Sequence, residues 1–210
     1  MTVLYGTKGS GSAAVEAALE IAGVPHERVD AIPWRPSPGL EALKEANPLG
    51  QIPTLVLDDG SVLSESAAIL IHLGLTNPHS DLLSGDPARR AQQIRGLVYI
   101  AANCYAAIGI LDYPDRWFPD PDDVVKKSMR ARGQARLYEL WEIFADQFPA
   151  APWLSGERLG ALDLLAATVS KWDGARPALA ASRPAFAALL ARIDADPRVA
   201  AVWARHWPAQ

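Results

Sequence analysis

The most specific chemistry in the chain lies in two residue pairs, Ile52-Pro53 and Glu65-Ser66, separated by a short apolar segment. Pro53 has no backbone N–H, so it belongs at the first residue of a strand or at a sheet edge. A cis bond before Pro53 would leave the backbone N–H and C=O of Ile52 free to pair with an extended peptide. Glu65 and Ser66 begin a helix, whose N-terminal amides can bind a carboxylate while Glu65 binds an ammonium group. These residues predict a site for a small peptide that carries both an amine and a carboxylate.

Residues 51–69 resemble the glutathione-binding signature of the cytosolic glutathione transferase family, as found in bacterial-type members. The resemblance implies that the Ile52-Pro53 bond is cis and that Ile52 pairs with the cysteinyl backbone of glutathione. It also implies that Glu65 and Ser66 hold the γ-glutamyl end of the tripeptide. The alternative is purely structural, in which Pro53 only starts a strand and Glu65 and Ser66 only cap a helix.

The resemblance implies that glutathione is a co-substrate whose thiolate the protein must stabilise. Only a small fraction of such a thiol is ionised near neutrality, and lowering its pKa by roughly two units requires about 2.7 kcal/mol. A hydroxyl donor and a helix N-terminus can supply this free energy. Ser10, in a glycine-flanked loop where some bacterial members have cysteine, and Ser12 are the predicted catalytic residues. Tyr5 stays an alternative, and either serine could instead be a plain N-cap.

The other parts of the ligands have several candidate partners. The glycine carboxylate of glutathione needs a cation or other donors, and Gln51, Lys44 and Arg35 lie close enough in sequence. For the second substrate, Tyr99 and Asn103 are candidates because residues four apart share a helix face. In the alternative interpretation Tyr99 packs in the core and the amide of Asn103 bonds a neighbouring loop.

Composition excludes several other classes of function. The chain has 210 residues, half of them hydrophobic, and a net charge of −4 without any basic run, which disfavours nucleic acid as a partner. No apolar run of membrane-spanning length and no secretory signal is apparent, which favours the cytoplasm. The only cysteine is Cys104, so neither a disulfide nor a Cys-x-x-Cys redox pair can form within the chain. Any sulfur chemistry must then use a sulfur from the ligand, and the histidines lack the spacing of a metal site.

The pattern of elements predicts an α+β fold with two parts. Residues 1–77 are expected to form a thioredoxin-like domain, 78–87 a linker and 88–210 an all-helical domain. The first domain contains strands at 2–5, 27–30, 54–57 and 61–63, and helices from residue 10 or 12 to about 22, at 40–46 and at 65–75. Helices in the second domain are predicted at 88–111, 122–147, 162–171, 184–194 and 197–206. The family places Ser or Thr at position 160, where this chain has glycine, while Asp163 is expected to accept the amides of the preceding loop.

The predicted function is transfer of the glutathione thiolate to a small electrophilic, largely apolar substrate, as in detoxification. Two alternatives stay open: a glutathione-dependent disulfide reductase or peroxidase, and a non-catalytic binding protein with the same fold. Glutathione is the only co-substrate expected, no metal is predicted, and the family resemblance implies a homodimer.

Overall fold

Four short strands form one mixed sheet in the first third of the chain. A computed structural model describes residues 1–208. The strand order is β2-β1-β3-β4, with β1 parallel to β2 and antiparallel to β3, and β3 antiparallel to β4. The strands are β1 Thr2–Gly6, β2 His26–Asp30, β3 Thr54–Val56 and β4 Val62–Ser64.

Helix α1, Ser12–Ala22, crosses between the two parallel strands and is buried along almost its whole length. Its alanine-rich sequence favours helix and lets neighbouring elements approach closely. Gly23, with φ +65°, ends the helix in the left-handed conformation, as a glycine at this position is expected to do. The helix contacts α3 of its own domain and α7 and α10 of the second domain, so it joins the two halves of the molecule.

The remaining helices of the first domain frame the sheet. Helix α2 is Leu40–Ala46 and α3 is Ser66–Thr76. The turn around Asp58, Asp59 and Gly60 closes the β3–β4 hairpin, with Gly60 at φ +84°. This arrangement confirms the predicted fold class, with a thioredoxin-like first domain and a helical remainder.

The second domain is built on one long helical run, Pro87–Asp112. It consists of α4 Pro87–Tyr99, a π-helical segment Ile100–Cys104 and α5 Tyr105–Asp112. The other helices are α6 Asp123–Gln147, α7 Ala161–Val169, α8 Ala175–Ser182, α9 Pro184–Asp194 and α10 Pro197–His206. By length and composition alone the long run could cross a membrane, contrary to the expectation above. One of its faces packs against α6 and α7 and buries Leu97, Ile100 and Cys104, as in the core helix of a bundle.

The loop before α7 confirms the prediction for Asp163. The buried Asp163 carboxylate accepts the backbone N–H groups of Leu154 at 2.8 Å, Ser155 at 3.0 Å and Gly160 at 3.0 Å. A Cβ at position 160 would lie 2.7 Å from the carbonyl oxygen of Leu82. Glycine therefore replaces the usual cap residue because the segment before α4 passes directly over this position.

The boundaries of several elements differ from the predicted ones. Helix α7 ends at Val169, and a short additional helix, α8, follows Gly174, which has φ +74°. The predicted linker contains a 3₁₀ turn at Pro78–Ser80, and α4 begins at Pro87. The domain limits proposed from the sequence stay a prediction.

Candidate active site

A cleft of about 830 Å³ lies between the two domains. Its first wall comes from the loop before α1, the segment before β3 and the start of α3, and its second wall from the long helical run and from the segment after α7. The residues that line it include Gly9, Ser10, Gly11, Trp34, Gln51, Ile52, Pro53, Glu65, Ser66, Ala101, Tyr105, Ile108, Gly109, Asp112, Tyr113, Arg116, Trp172 and Asp173.

The segment before β3 presents free backbone groups to the cleft. The Ile52-Pro53 peptide bond is cis, as predicted. Thr54 Oγ1 donates to the carbonyl oxygen of Gln51 at 2.7 Å, and Asn47 Nδ2 donates to Thr54 Oγ1 at 2.9 Å, which fixes the turn. Neither the N–H nor the C=O of Ile52 bonds another residue within 1–208. An extended peptide in the cleft can therefore pair with Ile52.

Glu65 lies at the same end of the cleft, just before α3. Its backbone has φ +66° and ψ 111°, an unusual conformation for a residue with a side chain. Such conformations cost on the order of 1–3 kcal/mol and occur preferentially at functional sites. The Glu65 side chain is exposed and forms no hydrogen bond or ion pair with any residue within 1–208. The carboxylate is thus available to a cationic group beside the N–H groups of the first turn of α3.

Tyr105 extends from the second domain to meet these residues. Ser66 Oγ donates to Tyr105 Oη at 3.4 Å. A Cβ on Gly11 would lie 2.6 Å from Tyr105 Oη, so the phenol occupies the space that a side chain at position 11 would need. Burial, assisted by the charge of Glu65 and opposed by the bond from Ser66, raises the pKa of Tyr105 to about 12. The phenol therefore keeps its proton near neutrality and can act as a donor.

The π-helical segment immediately precedes Tyr105. The N–H of Tyr105 bonds the carbonyl oxygen of Ile100, five residues earlier, instead of the α-helical partner. Asn103 Nδ2, in the same segment, donates to the carbonyl oxygen of Tyr99 at the end of α4, at 3.0 Å. One extra residue in a turn rotates everything that follows it around the helix axis. This rotation determines which face of α5 carries Tyr105 toward the cleft.

The far wall of the cleft combines small apolar residues with charged ones. Ala101, Ile108 and Gly109 supply the apolar part. Burial raises the pKa of Asp112 and, with the added effect of the Asp112 charge, that of Asp173. This part of the cleft can accept a compact ligand with both apolar and hydrogen-bonding groups.

Comparison with known proteins agrees with this geometry. The sequence profile "Glutathione S-transferase, N-terminal domain" matches residues 12–75. The "Uncharacterized GST-like protein YncG" of Escherichia coli K12 is 34% identical over 173 residues, 82% of each chain. The chain belongs to the glutathione transferase family.

Solved structures of this family share the whole fold. A glutathione transferase from Methylococcus capsulatus superposes with a TM-score of 0.76 at 28% identity, over 96% of this chain and 97% of that one. A glutathione transferase homologue from Sulfitobacter, solved with bound glutathione, superposes with a TM-score of 0.83 at 24% identity, over 96% of each chain. The second likeness concerns the fold alone.

The two serines predicted to activate the thiol occupy different positions. Ser10 lines the cleft, but its hydroxyl donates to the carbonyl oxygen of Thr7 at 2.8 Å. Ser12 is buried beneath it, 2.7 Å from Ser10 Oγ and 3.2 Å from the carbonyl oxygen of Thr7, and is not among the residues lining the cleft. Tyr5 lies within β1 and also does not line it. The catalytic role of each stays a prediction.

Of the three residues predicted to bind the glycine carboxylate, only one lines the cleft. Gln51 lines the cleft and is exposed, whereas Lys44 pairs with Glu41 at 3.0 Å and does not line the cleft. Arg35 lines a separate cavity on the other side of the loop before α1. Among residues 1–208, no group of three or more His, Cys, Asp or Glu side chains could hold a metal ion.

Tyr99 and Asn103 face away from the cleft. Tyr99 Oη donates to the carbonyl oxygen of Leu140 at 3.0 Å, and its ring packs against Phe144 and Phe148. Asn103 donates its side-chain N–H to the carbonyl oxygen of Tyr99, one turn earlier in the same helical run. Neither is among the residues that line the cleft. Sequence reasoning missed Tyr105, for which the only signal was a polar aromatic residue close to an asparagine in an apolar helix.

Proposed function

We propose that the protein is an enzyme that binds glutathione in the first domain and transfers its thiolate to a small electrophile held by the second. The observation that carries the proposal is the Tyr105 hydroxyl, a half-buried protonated donor beside Ser66 and Gly11. It lies at the meeting point of the free backbone of Ile52 and the unpaired carboxylate of Glu65.

Glutathione fits the first wall of the cleft by its chemistry. The Ile52 N–H and C=O would pair with the cysteinyl backbone, and Glu65 would bind the γ-glutamyl ammonium group. The corresponding carboxylate would accept N–H groups at the start of α3, where the helix dipole favours negative charge. Gln51 is the candidate donor for the glycine carboxylate. The Sulfitobacter structure, which holds glutathione in the same fold, supports this ligand.

Tyr105 is the best placed donor for the sulfur. Since Ser66 donates to Tyr105 Oη, the phenolic proton has no acceptor among residues 1–208 and can point toward a thiolate. Hydrogen bonds to charged groups are worth about 1.5–3 kcal/mol, enough to lower a thiol pKa by roughly one to two units. Ser10 would first have to give up its bond to Thr7. We therefore assign thiolate stabilisation to Tyr105 and a supporting position to Ser10.

In the proposed reaction the glutathione thiol loses its proton to solvent, and the thiolate attacks an electrophilic carbon. A carbon–sulfur bond forms, and the leaving group departs with the electron pair, or an added proton completes an addition. The small residues Ala101 and Gly109 leave room for the electrophile.

A glutathione-dependent disulfide reductase is a second candidate. The far wall carries Asp112, Asp173 and Arg116. These charged side chains suit a polar partner, such as a second glutathione moiety, better than they suit a purely apolar substrate. In that reaction the thiolate attacks the glutathionyl sulfur of a mixed disulfide, glutathione disulfide forms, and the released thiolate takes up a proton. Mass spectrometry of the products separates the candidates, because only one of them yields glutathione disulfide.

The test is an ultraviolet titration of the bound thiolate together with calorimetry. Wild type should bind glutathione and lower its thiol pKa, and Tyr105→Phe should raise that pKa by roughly one to two units without preventing binding. Ser10→Ala, Ser12→Ala and Tyr5→Phe should each change the pKa less. Glu65→Ala should weaken binding at least tenfold, about 1.4 kcal/mol. An unshifted thiol pKa in wild type would leave a binding protein, and a larger effect of Ser10→Ala than of Tyr105→Phe would move the assignment to Ser10.

We also propose a cytoplasmic homodimer. Reduced glutathione is kept available in the cytosol, where thiols stay reduced. For the dimer, exposed apolar side chains lie on the edge strand β4, on α3 and on α4, at Val62, Leu75 and Val98. Sedimentation analysis should show twice the chain mass for wild type and a shift toward the single-chain mass for Val98→Asp. A single-chain mass for wild type would disprove the dimer.

A further inference from the structure

The second domain holds the backbone of Gly9 on both sides, through the N–H of one peptide group and the C=O of the next. The N–H of Gly9 donates to His206 Nδ1 at 3.2 Å, and its carbonyl oxygen accepts from Trp172 Nε1 at 2.9 Å. Gly9 has φ +71° and directly precedes Ser10 in the loop before α1. We call this pair of contacts, from Trp172 and His206, the Gly9 clamp.

Glu16 on α1 determines the tautomer of His206. Glu16 Oε2 lies 2.9 Å from His206 Nε2, and Glu16 Oε1 pairs with Arg205 and Arg28. Burial alone would raise the pKa of Glu16, but the bonds from His206 and Arg205 and the nearby positive charges lower it to about 2. Because the ionised carboxylate only accepts, the imidazole N–H is on Nε2. The lone pair of Nδ1 is then left to accept the Gly9 N–H.

Trp172 contacts both the loop before α1 and Tyr105, the proposed hydrogen-bond donor to the thiolate. Its indole N–H binds Gly9, while its ring meets the ring of Tyr105 edge-on, with centroids 5.8 Å apart and planes at 67°. The Trp172 side chain therefore contacts both Gly9, in the loop before α1, and Tyr105, the two sides between which we expect the sulfur. The spacing between them is tight, since a Cβ on Gly11 would lie only 2.6 Å from Tyr105 Oη.

We propose that Trp172 and His206 are positioning residues that hold the loop before α1 at a fixed distance from the Tyr105 hydroxyl, and so set the ionisation of bound glutathione. The inference rests on the proposed function. Neither residue has to touch the sulfur. Both act through Gly9: His206 orients the peptide group before its Cα and Trp172 orients the peptide group after it.

The position of His206 allows a matched pair of variants. In His206→Asn the side-chain oxygen can replace Nδ1 as the acceptor for Gly9, but the bond to Glu16 is lost. In His206→Gln the amide reaches the position of Nε2 and can still donate to Glu16, but the acceptor for Gly9 is lost. Both variants remove the same ring, so both lose similar packing against Trp207. The two variants therefore differ in which bond survives: His206→Asn keeps the bond to Gly9, and His206→Gln keeps the bond to Glu16.

Trp172→Phe tests the other half of the Gly9 clamp. It removes the indole N–H and keeps an aromatic ring beside Tyr105. Trp203→Phe is its control, because Trp203 Nε1 donates to Asp194 Oδ1 at 2.7 Å, away from the loop. The thiol pKa of bound glutathione is measured without an electrophile, and the affinity for S-methylglutathione, which has no thiol, is measured alongside.

We expect His206→Gln and Trp172→Phe to raise the bound thiol pKa by about half a unit or more. His206→Asn and Trp203→Phe should leave it at the wild-type value. The affinity for S-methylglutathione should stay within about twofold of wild type in all four variants. A merely structural role would lower stability and leave the thiol pKa unchanged.

Two results would overturn the inference while the proposed function stands. One is a wild-type thiol pKa in both His206→Gln and Trp172→Phe, and the other is an equal shift in His206→Asn and His206→Gln. If Trp172→Phe does not fold, the His206 pair decides alone. A wild type that does not lower the thiol pKa refutes the proposed function, and the inference with it.

Discussion

At the scale of single residues, the closeness of Tyr105 explains why position 11 is glycine. Gly11 has φ −59° and ψ −16°, a conformation open to any residue, so the backbone does not require glycine. The requirement comes from Tyr105 Oη, which lies 2.6 Å from where a Cβ would be. Glycine at position 11 therefore reflects the position of the phenol.

We predict that Gly11→Ala lowers kcat/KM about tenfold, equivalent to about 1.4 kcal/mol, because the new methyl group displaces the Tyr105 hydroxyl. The melting temperature should change little, because the lower entropy of the unfolded chain offsets part of the strain of displacing the phenol. Steady-state kinetics and thermal unfolding check both parts.

The double variant gives the decisive control for Gly11→Ala. Phenylalanine has no hydroxyl, so adding Gly11→Ala to Tyr105→Phe should change kcat/KM little. Gly85→Ala is the matched neutral change, because a Cβ at Gly85 meets no atom within 4 Å. Equal losses from Gly11→Ala with and without the phenol would contradict this account.

At the scale of elements, the π-helical segment explains why sequence periodicity misplaced part of the site. An uninterrupted α-helix puts Tyr99 and Asn103 on one face, which is correct, but the pattern cannot say which face meets the cleft. The inserted residue rotates α5, so Tyr105 faces the first domain instead. No residue type marks such an insertion, and only Asn103, with its amide on the carbonyl oxygen of Tyr99, gives a trace of it.

Other elements follow directly from local chemistry. The Asp58-Asp59-Gly60 turn, Gly23 at the end of α1 and the proline before β3 each fix the backbone through one or two residues, and all are where the sequence predicts them. Helix α8 is not predicted from the sequence because it has only eight residues, Ala175–Ser182, and follows α7 after the five residues 170–174. A helix this short does not give a clear hydrophobic periodicity.

We predict that Asn103→Ala lowers the free energy of unfolding by about 1 kcal/mol, because the Tyr99 carbonyl loses its donor. It should also lower kcat by moving Tyr105, while KM for the electrophile stays unchanged. Urea unfolding and steady-state kinetics measure both. Asn77→Ala is the control, since Asn77 Nδ2 makes the same kind of bond to Leu73, at 3.0 Å, far from the π-helical segment. A raised KM with unchanged stability would instead support contact between Asn103 and the second substrate.

At the scale of the whole molecule, Glu16 joins the first domain to the last helix. Its buried carboxylate on α1 receives Arg205 Nε at 2.7 Å and lies 2.9 Å from His206 Nε2, and both partners are on α10. A buried charge is tolerated only when it is paired and hydrogen-bonded, as it is here. The packing of the two domains therefore depends on the ionisation of Glu16, through its bonds to Arg205 and His206.

The pH dependence of this contact between the domains follows from the pKa of Glu16. The folded state lowers the pKa of Glu16 from its ordinary 4.5 to about 2. Ionised Glu16 therefore stabilises the fold above about pH 4.5, and this stabilisation, about 3 kcal/mol, is lost as the pH falls toward 2. Glu16→Gln should lower the free energy of unfolding by about that amount at pH 7, and its difference from wild type should shrink as the pH falls below 4.5.

Glu20→Gln is the matched control for this prediction. Glu20 lies on the same helix and pairs with the same Arg205 at 3.1 Å, but its side chain is half exposed. Exposed pairs contribute about 0–1 kcal/mol, so this variant should follow wild type at every pH. Urea unfolding at pH 7, 5, 4 and 3 compares the three proteins. A wild type and a Glu16→Gln variant that differ by the same amount at pH 7 and pH 3 would show that the carboxylate charge does not hold the domains together. The contribution of that charge must decrease as the pH falls from 4.5 toward 2.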